Sequence, residues 1–434
     1  MSDYMYMLES HLSPDQNRVI EAVQTAAGEA GVNVFLTGGA MRDMLAGFPI
    51  RDLDFVVEGN ALKVAHAVCE RGGAKAVHTD ESHKAVDLVF STGVTAQIAM
   101  SRQEKFARSG AKPTVTPATI QEDLRGRDFT SNAIALSLNR ASRGLLLDPM
   151  NGLADIERRE LRAVSTYGFY DDPSRLLRLV RLGVRLGFSV EERTRMQIAN
   201  AREAQVETRI PPRALSEELR RIGAEDRAPE ILKGLEEAGL LALFSPVLGA
   251  KMNHPALARL QKAEALLPDD YQWRAARFGV FMHALTANLT AKEKAALVKA
   301  TEMPKGDVAE WQKLEARARK LESALKSARI RKASQVYQIV STAAPDEVLF
   351  TLCHSALKPV QERLRNHFGK YLPQIAEITP EEWASIPIKP GAPKYAKARD
   401  EFIAQRLDRR VKKPVEPVPP TAAPVVETAG RRGR

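Results

Sequence analysis

Cysteine is nearly absent from these 434 residues, with Cys69 and Cys353 standing alone. Two thiols so far apart exclude a disulfide scaffold and a thiolate metal cluster, and make a reducing compartment the default. Apolar runs near 18 residues are also missing, as is a basic and apolar leader in the opening "MSDYMYMLESHLS". Neither a membrane span nor a secretory signal is expected, so the chain reads as cytoplasmic with no membrane partner. The histidines show no HxxxH spacing: His66 falls on an amphipathic stretch, His78 and His83 in a polar loop, and none reads as a ligand. Trp273, Trp311 and Trp383 are too widely spaced for a base-stacking platform and read as packing anchors. No fixed-period repeat is visible.

What is present is length and positive charge. A chain of this size holds two to four domains, because single cores stop growing well below it. Lys and Arg number 64 against 54 Asp and Glu, a net +10 that suits a polyanionic partner. Half of that surplus sits in residues 406–434, where eight bases face three acids in a Pro-rich tail with too little to bury. That tail is expected to be disordered.

Strand and helix signals alternate over the first 140 residues, the pattern of an α/β head. "VNVFLTGG" reads as a buried strand running into a glycine turn, "RDLDFVVEG" as a second strand, and "KAVDLVFST" as a later one, with helices between them. From Asp172 to about Lys370 amphipathic helices follow one another, split by short Pro or Gly breaks. The expected division is a head over 1–150, a helical neck over 151–220, a helical body over 221–300, a helical tail over 301–405, and the basic end over 406–434.

The stretch "LTGGAMRDMLAGFPIRDLDFVVEG" at residue 36 concentrates the chemistry. On a strand, residues i and i+2 share a face, so Asp52 and Asp54 point together while Leu53 and Phe55 pack behind. Two like charges in an apolar strand are costly unless a cation sits between them, and a divalent ion ligated by oxygen supplies one. A strand entering its sheet from solvent, with both acids at an exposed end, is the plainer alternative. Gly38 and Gly39 permit a tight turn and close backbone approach before a helix whose free amides suit an anion. Asp87, in "KAVDLVF", is a candidate third carboxylate from a neighbouring strand. Three carboxylates and a phosphate-sized loop around Mg²⁺, with Mn²⁺ as a substitute, fit in-line displacement at an α-phosphorus.

These residues resemble the opening of the polymerase-β-like nucleotidyltransferase superfamily, in the bacterial group of CCA-adding, A-adding and poly(A)-polymerase enzymes. The pattern GGxxRDxLxGxxxxDxD is present as Gly38, Gly39, Arg42, Asp43, Leu45, Gly47, Asp52 and Asp54. "DLRGRDFTSNAIA" is similar to the family's DLxRRDFTxNAxA, through Asp123, Arg127, Asp128, Thr130, Asn132 and Ala133, with Gly126 in place of an arginine. "DDPSRLLRLVR" is similar to EDPxRxLRxxR, through Asp172, Pro173, Arg175, Arg178 and Arg181, with Asp171 in place of a glutamate. An ERxxxE element is only vaguely matched at Arg213 and Glu217, behind Pro212.

The resemblance implies an α+β fold class: a polymerase-β-like head, a mixed sheet with helices, followed by an elongated all-helical neck, body and tail. It implies catalytic Asp52, Asp54 and Asp87, with metal on Asp52 and Asp54. Nucleotide binding would fall to Gly38, Gly39, Arg42, Arg127, Asp128, Asn132, Asp172, Arg175, Arg178 and Arg181. Within that set Arg127 would meet phosphate, Asp128 a ribose hydroxyl, and Asp172 with Arg175 the edge of the base. Asp172 before Pro173 is also a sound helix N-cap, and Arg178, Arg181 and Arg185 equally fit a solvated face. The implied substrates are CTP and ATP, and the implied partner is the 3′ end of tRNA or another RNA; no protein partner can be inferred. Transfer of ATP alone, and a non-catalytic RNA-binding protein on the same fold, are the competing readings.

Overall fold

The computed structural model describes residues 3–268 and 271–409. The expected disordered tail falls almost wholly outside them. Helices α1 (Asp3–His11) and α2 (Pro14–Glu29) lead into strand β1 (Asn33–Thr37), helix α3 (Gly38–Leu45), strand β2 (Leu53–Glu58) and helix α4 (Ala61–Glu70). Three strands follow, β3 (Ala74–Asp80), β4 (Ala85–Phe90) and β5 (Thr95–Met100), then a small hairpin of β6 (Arg102–Lys105) and β7 (Thr114–Pro117). Helix α5 (Ile120–Gly126), strands β8 (Ala135–Ser137) and β9 (Leu146–Leu147), helix α6 (Gly152–Arg158) and strand β10 (Glu160–Leu161) complete the head.

Seven strands form one mixed sheet in the order β3-β4-β5-β2-β1-β8-β9. Strand β2 pairs antiparallel with β1 and parallel with β5, so the acid-bearing strand lies near the centre of the sheet. Alternation sets its faces. Leu53, Phe55 and Val57 are buried in the main core with Val19, Ile20 and Val23 of α2 and Val64, Ala65 and Val68 of α4. Val56 faces the other way, into a second cluster with Phe35, Ile120, Leu124, Ala133 and Ala135. Asp54 shares that second face.

Two local differences from the sequence expectation matter here. Regular strand begins at Leu53, so Asp52 stands one residue ahead of it rather than inside it. The segment "FTSNAIALSL" is extended only at β8, because Thr130–Asn132 close a 3₁₀ turn. Side-chain bonds hold that turn: Thr130 Oγ1 donates to Asp155 (2.6 Å) and Asn132 Nδ2 to Asp128 (2.9 Å).

After residue 161 the only strand among the described residues is β11 (Ser189–Val190), paired parallel with β10. The rest is helical: α7 (Gly168–Asp171), α8 (Arg175–Leu186), α9 (Glu192–Glu203), α10 (Pro212–Gly223), α11 (Ala228–Glu237), α12 (Leu248–Lys251), α13 (His254–Glu264) and α14 (Tyr271–Leu285), with further helices to Asp408. Helix α8 buries Leu176, Leu177, Leu179, Leu182 and Leu186, leaving its arginines to another face. Of the three tryptophans, Trp311 is buried, Trp273 packs edge-on to Phe368, and Trp383 lies against Phe402.

Candidate active site

The turn from β1 into α3 is made by Gly38 at φ +64°, a left-handed conformation that other residues adopt at a cost. It brings the Gly39 amide to Asp54, which it meets with a 2.8 Å hydrogen bond to Oδ2. A Cβ on Gly38 or Gly39 would lie 3.1 or 3.0 Å from that same oxygen. The glycine pair is therefore the condition for Asp54 to sit against backbone. Burial, and after it the charge of Asp52, push the Asp54 carboxyl up to about 6, against the pull of Arg127 and Arg42. Asp52 is more open, accepts a hydrogen bond from Thr95 Oγ1, and has Arg274 Nη1 at 3.9 Å.

Asp87 is not brought to this pair. Parallel register sets Gln97 of β5 beside Asp54, and antiparallel register sets Asp87 of β4 beyond Gln97. Gln97 Nε2 donates to Asp87 Oδ1 at 2.7 Å, so an amide stands between the second and third acids. Among the described residues no group of three or more His, Cys, Asp or Glu is placed to hold a metal.

A cavity of about 330 Å³ opens over Asp52 and Asp54. Gly39, Arg42, Asn132, Arg178 and Arg181 of the expected site line it, together with Asp43, Arg51, Arg185, Arg221, Glu225 and Arg274. Gly38, Asp87, Arg127, Asp128, Asp172 and Arg175 do not line it. Arg178, Arg181 and Arg185 thus form a wall of the cavity rather than a solvated face, and Arg181 is 7% exposed.

Most of these cations are held by acids behind them. Arg42 bonds Asp43 (2.7 Å) and Asn132 Oδ1 (2.7 Å), and Arg185 takes the other Asp43 oxygen (2.6 Å). Arg178 donates to Asp128 (2.7 Å), and the Asp128 carboxylate also accepts from Asn132 and the Phe129 amide. Burial works against that charge, yet Arg178 and Arg175 outweigh it and hold the carboxyl far below the usual range. Arg181 is bound by Glu218 (2.5 Å) and Glu225 (3.2 Å), and Arg51 by Glu225 (2.9 Å) and Asp226 (2.9 Å). Buried charge is tolerable here because each is paired and hydrogen-bonded.

Beside the cavity, Arg127 makes two bonds to Asp123 Oδ2 (3.0 and 2.8 Å) while Nη1 points at Gly38, 3.2 Å from where a Cβ would be. One Asp172 oxygen accepts from the Ser174 amide (3.1 Å) and hydroxyl (2.5 Å), and Ser174 rather than Asp172 is the N-cap residue of α8. The second Asp172 oxygen faces Arg175 Nε at 3.7 Å, and Arg175 also donates to the carbonyls of Gly126 and Arg127. Arg213 and Glu217 form an exposed surface pair (3.1 Å), while the buried acid of that helix is Glu218, one residue on.

Sequence reasoning missed Arg51, Glu218, Arg221, Glu225 and Arg274. Arg51 had the signal of adjacency to Asp52; Glu218, Arg221 and Arg274 come from helices and Glu225 from the turn after α10, with no local pattern to mark them.

Residues 34–162 match the family described as the poly A polymerase head domain. The chain is 37% identical over 194 residues to an A-adding tRNA nucleotidyltransferase of Halalkalibacterium halodurans, covering 44% of this chain and 45% of that one. It is 33% identical over 243 residues to a CC-adding tRNA nucleotidyltransferase of Deinococcus radiodurans, covering 56% and 63%. The chain thus spans less than two thirds of either of these curated relatives. Among solved structures, the apo form II of a CCA-adding enzyme superimposes with TM-score 0.55 at 24% identity, covering 95% of this chain and 96% of that one. That likeness establishes the shared fold.

Proposed function

We propose, from a head that matches the poly A polymerase head domain and from its likeness to A-adding and CC-adding relatives, that this chain is a polymerase-β-like nucleotidyltransferase of the bacterial CCA-adding and A-adding group and extends the 3′ end of tRNA. The finer reading is addition of CMP and AMP from CTP and ATP with release of pyrophosphate. The observation that carries it is the pair Asp52 and Asp54 against the Gly38–Gly39 turn, under a cavity walled by arginine.

The donor set fits magnesium. Both side chains offer hard oxygen, and the upward push on Asp54 by Asp52 is a repulsion that a divalent ion relieves. On the same face of the sheet Thr37 Oγ1 is buried without a hydrogen-bond partner. Mg²⁺ characteristically takes one or two carboxylates and completes its shell with substrate phosphate and water, so two acids suffice. When bound, the ion lowers the pKa of an attacking hydroxyl and offsets charge gathering on phosphorus.

The chain's own residues supply the remainder. Asp52 and Asp54 orient the acceptor 3′ oxygen and the α-phosphate toward each other. The new bond joins that oxygen to the α-phosphorus, and the bond from phosphorus to the bridging oxygen breaks as pyrophosphate leaves. The Gly39 turn admits phosphate close to backbone, and Arg178 and Arg185 neutralise the departing anion. Asp172 and Arg175 remain the proposed base-reading pair, with the free carboxylate oxygen of Asp172 as acceptor. The division into head, neck, body and tail is carried forward as part of the same proposal, with the helical tail gripping RNA by shape and phosphate.

Transfer of AMP alone is the second reading, favoured by the A-adding relative and by the Gly126 and Asp171 departures in nucleotide-handling segments. A tRNA transcript ending before CCA, incubated with Mg²⁺ and each NTP separately and together, separates the readings on a sizing gel. Three added residues with CTP plus ATP support CCA synthesis, whereas one or more with ATP alone support the second reading. No extension, together with RNA binding unchanged in Asp52→Ala, overturns the enzymatic account.

A further inference from the structure

Arg221 on the cavity wall is anchored differently from five of the arginines beside it. Arg42, Arg51, Arg178, Arg181 and Arg185 each make a carboxylate contact of 2.9 Å or shorter. Arg221, on α10, meets Glu218 Oε2 only at 3.4 Å, and the other oxygen of Glu218 is already bound at 2.5 Å by Arg181. Its side chain stays 48% exposed on the cavity wall. Burial and the facing guanidiniums of Arg178 and Arg181 lower its pKa, with Glu218 and Glu217 pulling the other way. A cation set against two others, with a shared carboxylate at long range, is a site short of an anion.

The chemistry it fits is a phosphate oxyanion. Guanidinium presents a planar fork that two phosphate oxygens satisfy at once. Two sources exist in the proposed reaction, the polyphosphate of the nucleotide and the backbone of the RNA. The nucleotide is favoured because Arg221 lines the same cavity as Asp52 and Asp54, where the proposed reaction places the small substrate. We propose that Arg221 binds the terminal phosphates of the incoming nucleotide, and so distinguishes triphosphate from shorter forms and retains pyrophosphate until release. This rests on the nucleotidyltransferase reading and adds a specificity-determining residue to it.

The test is calorimetry of the full chain with pyrophosphate, ATP, ADP and AMP in Mg²⁺, and separately with a tRNA transcript lacking CCA. Arg221→Gln is expected to weaken pyrophosphate and ATP about tenfold or more and leave AMP and RNA affinity unchanged, with Arg221→Lys between it and the parent. Arg220→Gln serves as control: its guanidinium pairs with Asp307 and lies 4.4 Å over the Phe278 ring, away from the cavity. Pyrophosphate affinity unchanged in Arg221→Gln overturns the inference, as does a loss confined to RNA. Because pyrophosphate binding needs no transfer, an Arg221-dependent affinity in a protein that never extends RNA leaves this inference standing while the proposed function falls. Normal extension with Arg221-independent pyrophosphate binding does the reverse.

Discussion

The proposed metal role needs Asp54 charged, yet it is placed where charge is disfavoured, by burial and by Asp52. Its folded-state value of about 6 lies above the ordinary 3.8, so the protonated form favours the fold. The associated stabilisation is full below the unfolded value and is lost as pH rises through about 6. Asp54→Asn should therefore raise the unfolding free energy at pH 7 by roughly 2 to 3 kcal/mol while removing activity. Urea melts at pH 7 and pH 4 check this, since the gain should vanish at the lower pH. Under the proposed function proton and metal would compete for this oxygen, and divalent affinity should fall about tenfold per pH unit below the Asp54 value. Gln97 gives a second prediction at this scale. It flanks Asp54 in register, so Gln97→Glu sets a third acid beside the pair and should tighten Mg²⁺ binding several-fold by calorimetry. Asp87→Glu, one strand farther, should not. Asp52 and Asp54 were legible because i and i+2 share a face whatever the tertiary structure. Asp87 was misplaced because no local pattern reveals which strand lies between two others.

At the scale of elements, α8 and α10 are joined by the buried pair of Arg181 and Glu218, both sides under a tenth exposed. Removing Glu218 leaves buried Arg181 only its longer contact to Glu225, which should cost about 3 kcal/mol, the low end for breaking a buried pair. Glu218→Ala should thus be strongly destabilising in thermal melts, whereas Glu217→Ala, from an exposed pair, should change stability by less than about 1 kcal/mol. Equal effects would discard the assignment of the inner acid to Glu218. The vague ERxxxE match marked Glu217, which is exposed, while Glu218 beside it is buried; two adjacent glutamates on a helix differ only in which face the packing buries. The β1 turn into α3 was legible for a different reason: Gly38 is required by its φ, and a required glycine shows in the sequence. The basic stripe of α8 was visible as spacing, but nothing local distinguished a solvated stripe from a cavity wall.

For the whole molecule, the helical half is fastened to the head next to its acids. Arg51, just ahead of β2, bonds Glu225 and Asp226 after α10, and Arg277 of α14 bonds the same Asp226 at 2.9 Å. Arg51→Ala should release this junction, seen as faster amide exchange across residues 272–285 with the sheet amides unchanged. Protection that stays intact there would show that apolar packing alone holds α14. Head and helical remainder were readable from the change in periodicity near residue 150. Their meeting was not, since Arg51 and Glu225 are 174 positions apart and neither carries a mark of the other.

The cavity's walls are drawn from residues 39 to 274, and that has a consequence during synthesis. A ribosome that has delivered the first 160 residues has made the sheet and its two aspartates, but none of α8, α10 or α14. Such a nascent chain has the Gly38–Gly39 turn but lacks the wall of Arg178, Arg181, Arg185 and Arg221 that closes the cavity's other side.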